Sequence, residues 1–155
     1  MPDEHDNPGS NVPPPLIYAA PLLLGLLLDR RRHVPFLPRG ARRALGWPLL
    51  GGGAALNAWF LKTIRDAEVP IRTDKPVPRL TTEGPFRYSR NPSYVALAMI
   101  YSGIALLRNS FWTILFLPLV VVVIQREVIG HEEQYLERTF GEEYLSYKAR
   151  VRRWV

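Results

Sequence analysis

The chain has 155 residues, the size of one domain, and no cysteine, which excludes disulfides, thiolate metal sites and cysteine nucleophiles. Its net charge of +6 raises nucleic acid as a partner, but the arginines bunch at the ends of apolar runs, where anionic lipid headgroups lie. Neither nucleic acid nor metal is therefore expected as a partner.

Residues Met1–Pro15 are acidic, polar and proline-rich, and read as a disordered tail without the basic start of a signal peptide. Residues 16–155 read as a single integral-membrane domain. Its first apolar run, Leu16–Leu28, ends at Asp29-Arg30-Arg31-Arg32-His33. It reaches crossing length only with the prolines before it, which a helix start tolerates, and Pro21 is expected to kink it. The second run, Ala44–Leu61, carries Gly51-Gly52-Gly53, which permits close helix approach, with Trp47 and Trp59 near its two ends.

Residues 62–93 are too polar to insert, and their prolines favour an extended path. The stretch Thr81–Phe86 reads as a turn leading to a third helix, with Pro92 in its first turn. Runs Tyr94–Leu107 and Phe111–Ile124, joined by Arg108-Asn109-Ser110, read as an antiparallel helical hairpin. The expected class is thus all-α and polytopic, with about four transmembrane helices. The segment from Lys62 to Arg90 holds seven Lys/Arg and the tail from Arg126 holds six, against one in the hairpin turn. That asymmetry puts the 62–93 loop and the C-terminus in the cytoplasm. The six arginines between Asp29 and Arg43 run against the rule if all four runs span.

After the fourth run, Gln125–Glu137 continues as a polar helix with Glu132 and Glu133 on an expected solvated face, so that replacing either should leave the fold intact. A break is expected at Gly141. Beyond it Tyr144, Tyr147, Val151 and Trp154 recur at helical spacing beside Lys148, Arg150, Arg152 and Arg153. That pattern suits an amphipathic helix at the membrane surface.

Two polar clusters, Gly84–Tyr94 and Glu127–Tyr135, flank a hairpin long enough to cross a bilayer and return, so they can meet at one membrane face. Each has a plain reading alone: a solvated carboxylate pair, a helix start with a headgroup arginine, a surface histidine, an aromatic anchor. The joint order carries more. Gly84-Pro85-Phe86-Arg87, Arg90-Asn91-Pro92-Ser93-Tyr94, Glu132-Glu133 and Phe140-Gly141-Glu142-Glu143-Tyr144-Leu145-Ser146-Tyr147 follow one another with the hairpin between them. This set, within residues 81–155, resembles the isoprenylcysteine carboxyl methyltransferase and phospholipid methyltransferase superfamily of integral-membrane methyltransferases. Residues 1–80 match it in hydropathy only.

The resemblance implies S-adenosyl-L-methionine as methyl donor and a lipophilic or small acceptor reached from the bilayer. It implies a donor site at Arg90, Asn91, Pro92, Tyr94, His131, Glu132, Glu133 and Tyr135, with Arg87, Arg126, Tyr144 and Tyr147 as acceptor-side candidates. No catalytic residue is assigned: methyl transfer by in-line displacement needs positioning and a dry pocket more than acid–base chemistry. In that reading Glu132 and Glu133 hold ribose hydroxyls or the ammonium. The start of the third helix, with Arg90, holds the carboxylate, and Tyr94 and Tyr135 line the adenine or the sulfonium. The family's usual histidine is Asn91 here, which keeps hydrogen bonding and loses ionisation. The competing reading is a non-catalytic membrane protein that retains the fold. The expected location is the bacterial inner membrane.

Overall fold

The computed structural model describes residues 13–69 and 78–155. The expected tail therefore lies outside the described residues up to position 12, as does the middle of the long polar loop. The described residues form helices and no strands: α1 (Pro14–Arg31), α2 (Arg39–Asp66), a 3₁₀ turn (Gly84–Arg87), α3 (Pro92–Arg108), α4 (Phe111–Val123), a π-helical segment (Ile124–Ile129), α5 (Gly130–Phe140) and α6 (Glu142–Arg150). Helix α1 begins at Pro14 because prolines in a first turn lack an N–H that would have no partner there anyway.

The first four helices run antiparallel. At one end Asn109, left-handed at the α3–α4 turn, clamps the α1–α2 loop. Its Oδ1 accepts from the Leu37 amide at 3.0 Å, and its Nδ2 donates to the Leu37 carbonyl at 3.0 Å. At the other end the starts of α1 and α3 meet, where the Tyr18 hydroxyl donates to the Tyr94 carbonyl at 3.1 Å. Helix α2 packs chiefly on α3, and α1 on α4. Tyr18, Tyr101, Val120 and Ile124 belong to the core between them.

Small residues set the α2–α3 distance. Gly46 and Gly53 on α2 share a face with a spacing of seven, as do Ala96 and Gly103 on α3. A Cβ on Gly53 would lie 2.8 Å from the Ala96 carbonyl oxygen, and one on Gly103 would lie 2.7 Å from the Leu50 nitrogen. Of the glycine triplet expected to permit close approach, only Gly53 is buried, and Gly51 faces open space. Gly25 plays the matching part between α1 and α4, where a Cβ would meet the Thr113 backbone at 2.5 Å.

From Phe111 to Phe140 the helix is continuous, and by length and composition it is the one described helix apolar enough to cross a membrane. Helix α3 is apolar but shorter. Helix α2 exceeds the expected run at both ends, taking in Arg39, Arg42, Arg43, Lys62, Arg65 and Asp66, so its terminal turns are strongly polar.

The final segment departs from the expected surface helix. Helix α6 stops at Arg150, and residues 151–155 form an irregular strap. Tyr144 and Tyr147 are buried and do not face a membrane. Their stripe finds its partners inside the protein: the Tyr147 hydroxyl donates to the Phe86 carbonyl at 2.7 Å. Gly141, at φ 52°, makes the expected break before α6.

Replacing Gly103 with alanine should lower the unfolding temperature in detergent, with a cost of about 1–3 kcal/mol for overpacking. Gly51→Ala, into open space, should be neutral or stabilising by up to about 1 kcal/mol. Circular dichroism on heating measures both, and equal behaviour would contradict the packing described.

Candidate functional site

Both polar clusters converge at the end of the bundle where α3 starts. The 3₁₀ turn at Gly84–Arg87 delivers the chain there. It lies so close to α2 that a Cβ on Gly84, whose φ is 58°, would meet Thr63 Oγ1 at 2.5 Å. Ser89 and Asn91 are buried at the mouth of α3, with Pro92 in its first turn. From the other side the π-helical segment Ile124–Ile129 widens the helix for one turn before α5 begins. Such segments are frequent at functional sites. It sets the rotation at which α5 presents Glu132 and Glu133.

The centre is Glu133, only 6 % exposed despite its charge. Arg90 Nη2 lies 3.1 Å from its Oε1. Arg153 grips it with two nitrogens, Nε at 3.0 Å from Oε1 and Nη2 at 2.6 Å from Oε2. Lys148 Nζ stands 3.9 Å from Oε2 and pairs with Glu137. The expectation that Glu133 sits on a solvated face is thus corrected. Two guanidinium groups and a nearby ammonium outweigh the cost of burying one carboxylate, provided all partners remain.

The strap closes over this centre through its backbone. The Arg90 amide donates to the Arg152 carbonyl at 2.9 Å. The Arg153 carbonyl accepts from Ser89 Oγ at 3.2 Å and from Asn91 Nδ2 at 3.0 Å. The Asn91 side chain is therefore engaged with the C-terminal strap. The Trp154 indole N–H reaches Gln125 Oε1 at 3.3 Å, tying the strap to the π-helical segment.

Glu132 has a different environment. It accepts from the Tyr94 hydroxyl at 2.8 Å, and no cation pairs with it among the described residues. Burial pushes its carboxyl up to about 7; the Tyr94 hydrogen bond opposes the shift and the Glu133 charge adds to it. Two adjacent carboxylates are thus driven apart in character: one is saturated by cations and the other is left with a single hydroxyl donor. Arg90 presents the complement. Its side chain is 9 % exposed, and its Nε and Nη1 are buried without a hydrogen-bond partner. Unused donors on a buried cation are costly and mark a place for an anionic group.

The other candidates are distributed unevenly. Tyr135 is buried on α5. His131 is exposed, with Nδ1 hydrogen-bonded to the Glu127 carbonyl at 2.8 Å. Tyr144 and Tyr147 lie beneath the strap, Tyr144 close enough to feel the charges of Glu133 and Arg90. Arg87 and Arg126 are exposed and no contact links them to the Glu133 cluster among the described residues. Sequence reasoning missed Arg153, Lys148 and Ser89. Arg153 carried a signal only as part of a basic tail, and its bond to Glu133 crosses 20 positions and two helices. No group of three His, Cys, Asp or Glu side chains suited to a metal gathers among the described residues.

A profile of the phospholipid methyltransferase family matches residues 41–143, well over half of the chain and including both polar clusters. A 62-residue stretch is 37% identical to an uncharacterized protein of Haemophilus influenzae, covering 40% of this chain and 98% of that protein. A 72-residue stretch is 35% identical to the protein-S-isoprenylcysteine O-methyltransferase of Schizosaccharomyces pombe, covering 46% of this chain and 30% of that enzyme. No solved structure matches. The chain belongs to the phospholipid methyltransferase family, within the superfamily of membrane methyltransferases that its motifs resemble.

Two outcomes test this geometry. Glu133→Ala leaves two guanidinium groups without their carboxylate and should destabilise by about 3–5 kcal/mol, with the strap opening to protease before the bundle melts. Limited proteolysis followed by heating reads both effects. Glu132 gives a pH signature. Its folded-state carboxyl, near 7, holds a proton that the unfolded chain releases around 4.5, so stability should fall as pH rises across that window and level off above it. Glu132→Gln should abolish that slope in unfolding temperature measured from pH 4 to 8.

Proposed function

We propose that the chain is an S-adenosyl-L-methionine-dependent methyltransferase of the bacterial inner membrane that acts on a lipophilic or small acceptor. The observation that carries this reading is a pair of complementary groups: buried Arg90, whose Nε and Nη1 have no hydrogen-bond partner, and Glu132, which among the described residues has one hydroxyl donor and no cation. The donor's chemistry fits both. Its carboxylate suits the free guanidinium edge of Arg90, and its ribose hydroxyls or ammonium suit the carboxylate of Glu132. When bound, the donor supplies a methyl group on a sulfonium, activated for in-line displacement.

The chain's own residues position and shield. Glu133, itself gripped by Arg153, and the Arg152 carbonyl hold Arg90 in place, Tyr94 orients Glu132, and the strap with Tyr144 and Tyr147 keeps water from the polar centre. No side chain is assigned a covalent or acid–base step. The acceptor side is drawn from the relatives: the family is one of phospholipid methyltransferases, and the fission-yeast relative carries the name of an enzyme acting on an isoprenylcysteine. Arg87 and Arg126 are exposed and are the acceptor-side candidates that remain accessible.

Asn91 supports one competing reading. Its amide donates to the Arg153 carbonyl, a structural use that a protein retaining the fold without donor binding would also keep. Calorimetric titration of S-adenosyl-L-methionine into the detergent-purified chain separates the two. Wild type should bind. Arg90→Ala should lose about 1.5–3 kcal/mol, roughly tenfold or more. Glu132→Gln should weaken binding and Asn91→His should retain it. Equal affinity in all four proteins would remove the site, and failure of the wild type alone, with rescue by Asn91→His, would favour the non-catalytic reading.

The proposal includes four membrane-crossing helices, with the α3 start and the C-terminus on the cytoplasmic side. The antiparallel course of α1–α4 and the charge asymmetry about the α3–α4 hairpin support it. Single cysteines introduced at Arg79 and at Arg108, both exposed and the latter beside the buried Asn109, should label from opposite sides of the membrane in this cysteine-free chain. Labelling of both from one side would refute it.

A further inference from the structure

The end of the bundle opposite the candidate site carries a concentration of charge that the proposed reaction does not use. Six arginines between Arg30 and Arg43, together with Arg108, gather there, because the Asn109 clamp holds the α1–α2 loop against the α3–α4 turn. All are exposed except Arg42, whose Nη1 donates to the Leu107 carbonyl at 3.3 Å. None pairs with a carboxylate among the described residues. The one acid in the stretch 29–43, Asp29 in the last turn of α1, is largely buried and paired with His33 Nδ1 at 2.9 Å.

Aromatic and apolar side chains are interleaved with these cations. The rings of Phe36 and Phe111 meet edge to face at 6.3 Å, and the Trp112 indole donates to the Arg32 carbonyl at 2.8 Å. Val34, Phe36 and Phe111 are exposed. Free guanidinium groups suit phosphate oxygens, which they bind bidentately. Apolar and aromatic groups in the same ring suit the boundary between headgroup and acyl chain.

We propose that this arginine ring is a docking surface for anionic phospholipid headgroups, gathered around the end of the bundle remote from the methyl-transfer site. It also accounts for six arginines on the side where the charge rule would not put them. They are held by the phosphates of that leaflet and need not report orientation. The surface is preformed, since the Asn109 and Trp112 hydrogen bonds fix the loop without any lipid.

The test uses the full chain in mixed micelles of equal phosphatidylglycerol and phosphatidylcholine. Lipids retained through gel filtration are counted by mass spectrometry. The wild type should retain phosphatidylglycerol over phosphatidylcholine by about tenfold or more, and 0.5 M salt should erase the preference. Replacing Arg30, Arg31, Arg32, Arg39 and Arg43 with glutamine should cut it to about twofold or less. Arg39→Gln with Arg43→Gln should give a partial loss, a variant that guards against misfolding of the fivefold one. Lys62→Gln with Arg65→Gln, which removes exposed charge from the opposite end of α2, should leave the preference unchanged. Equal retention of both lipids by the wild type, or a preference undiminished in the glutamine variants, overturns the proposal. So does displacement of the lipid by soluble glycerol phosphate or a DNA duplex at the same phosphate concentration. None of these readouts depends on donor binding or methyl transfer.

Discussion

One buried carboxylate organises the end of the bundle where α3 starts. Glu133 is surrounded by Arg90 from the start of α3, Arg153 from the C-terminal strap and Lys148 from α6. Three parts of the chain separated by a helical hairpin therefore share one electrostatic centre. A charge so buried is stable only with its partners in place, so the loop before α3, helix α5 and the strap form one mutually dependent unit. Arg90 is the consequence with chemical interest. Holding it by a single nitrogen leaves its other donors directed into the protein without partners. The neighbour of Glu133, Glu132, has no cation among the described residues, and burial pushes its carboxyl up to about 7.

That centre depends on a bundle that brings the ends of distant segments to one place. The bundle is set by small residues more than by large ones. Gly46, Gly53, Ala96 and Gly103 let α2 and α3 approach to backbone contact, and Gly25 does the same for α1 against Thr113 of α4. Such close approach and the interhelical hydrogen bonds of Tyr18 and Tyr101 supply the specificity of the bundle. The π-helical segment then falls where one continuous helix changes from apolar to polar sequence. Its apolar part ends at Ile124, and the carboxylate pair begins about 12 Å further along the axis.

The two ends of the bundle treat arginine in opposite ways. At the α3 start, Arg90 and Arg153 are drawn onto a carboxylate and define a closed interior. At the other end the guanidinium groups pair with no acid among the described residues, are exposed except for Arg42, and lie near aromatic rings. The same residue type thus closes a buried ion cluster in one place and stays solvent-facing in the other. The difference lies in whether an acidic partner is within reach in the folded chain.

Much of this was legible in the amino-acid sequence. Apolar run lengths, the Asn109 turn, Pro92 at a helix start and the Gly141 break each follow from local chemistry: hydropathy, a missing N–H, a left-handed backbone. The ordered motifs, Arg90 to Tyr94, Glu132-Glu133 and Phe140 to Tyr147, were enough to indicate the superfamily. Local reasoning did not reach the partners. A Glu-Glu pair on a polar helix looks solvated, and nothing within a few residues of Glu133 reveals Arg90 or Arg153. The aromatic stripe of Tyr144 and Tyr147 has the period of a surface helix whether it faces lipid or protein, since periodicity gives a face and not what covers it. Which glycines sit at the helix contact, which carboxylate is saturated and which is left open, and where the strap lies were decided by tertiary structure alone. The reason is that the energies of buried charge and close packing depend on distances between segments that the sequence keeps far apart.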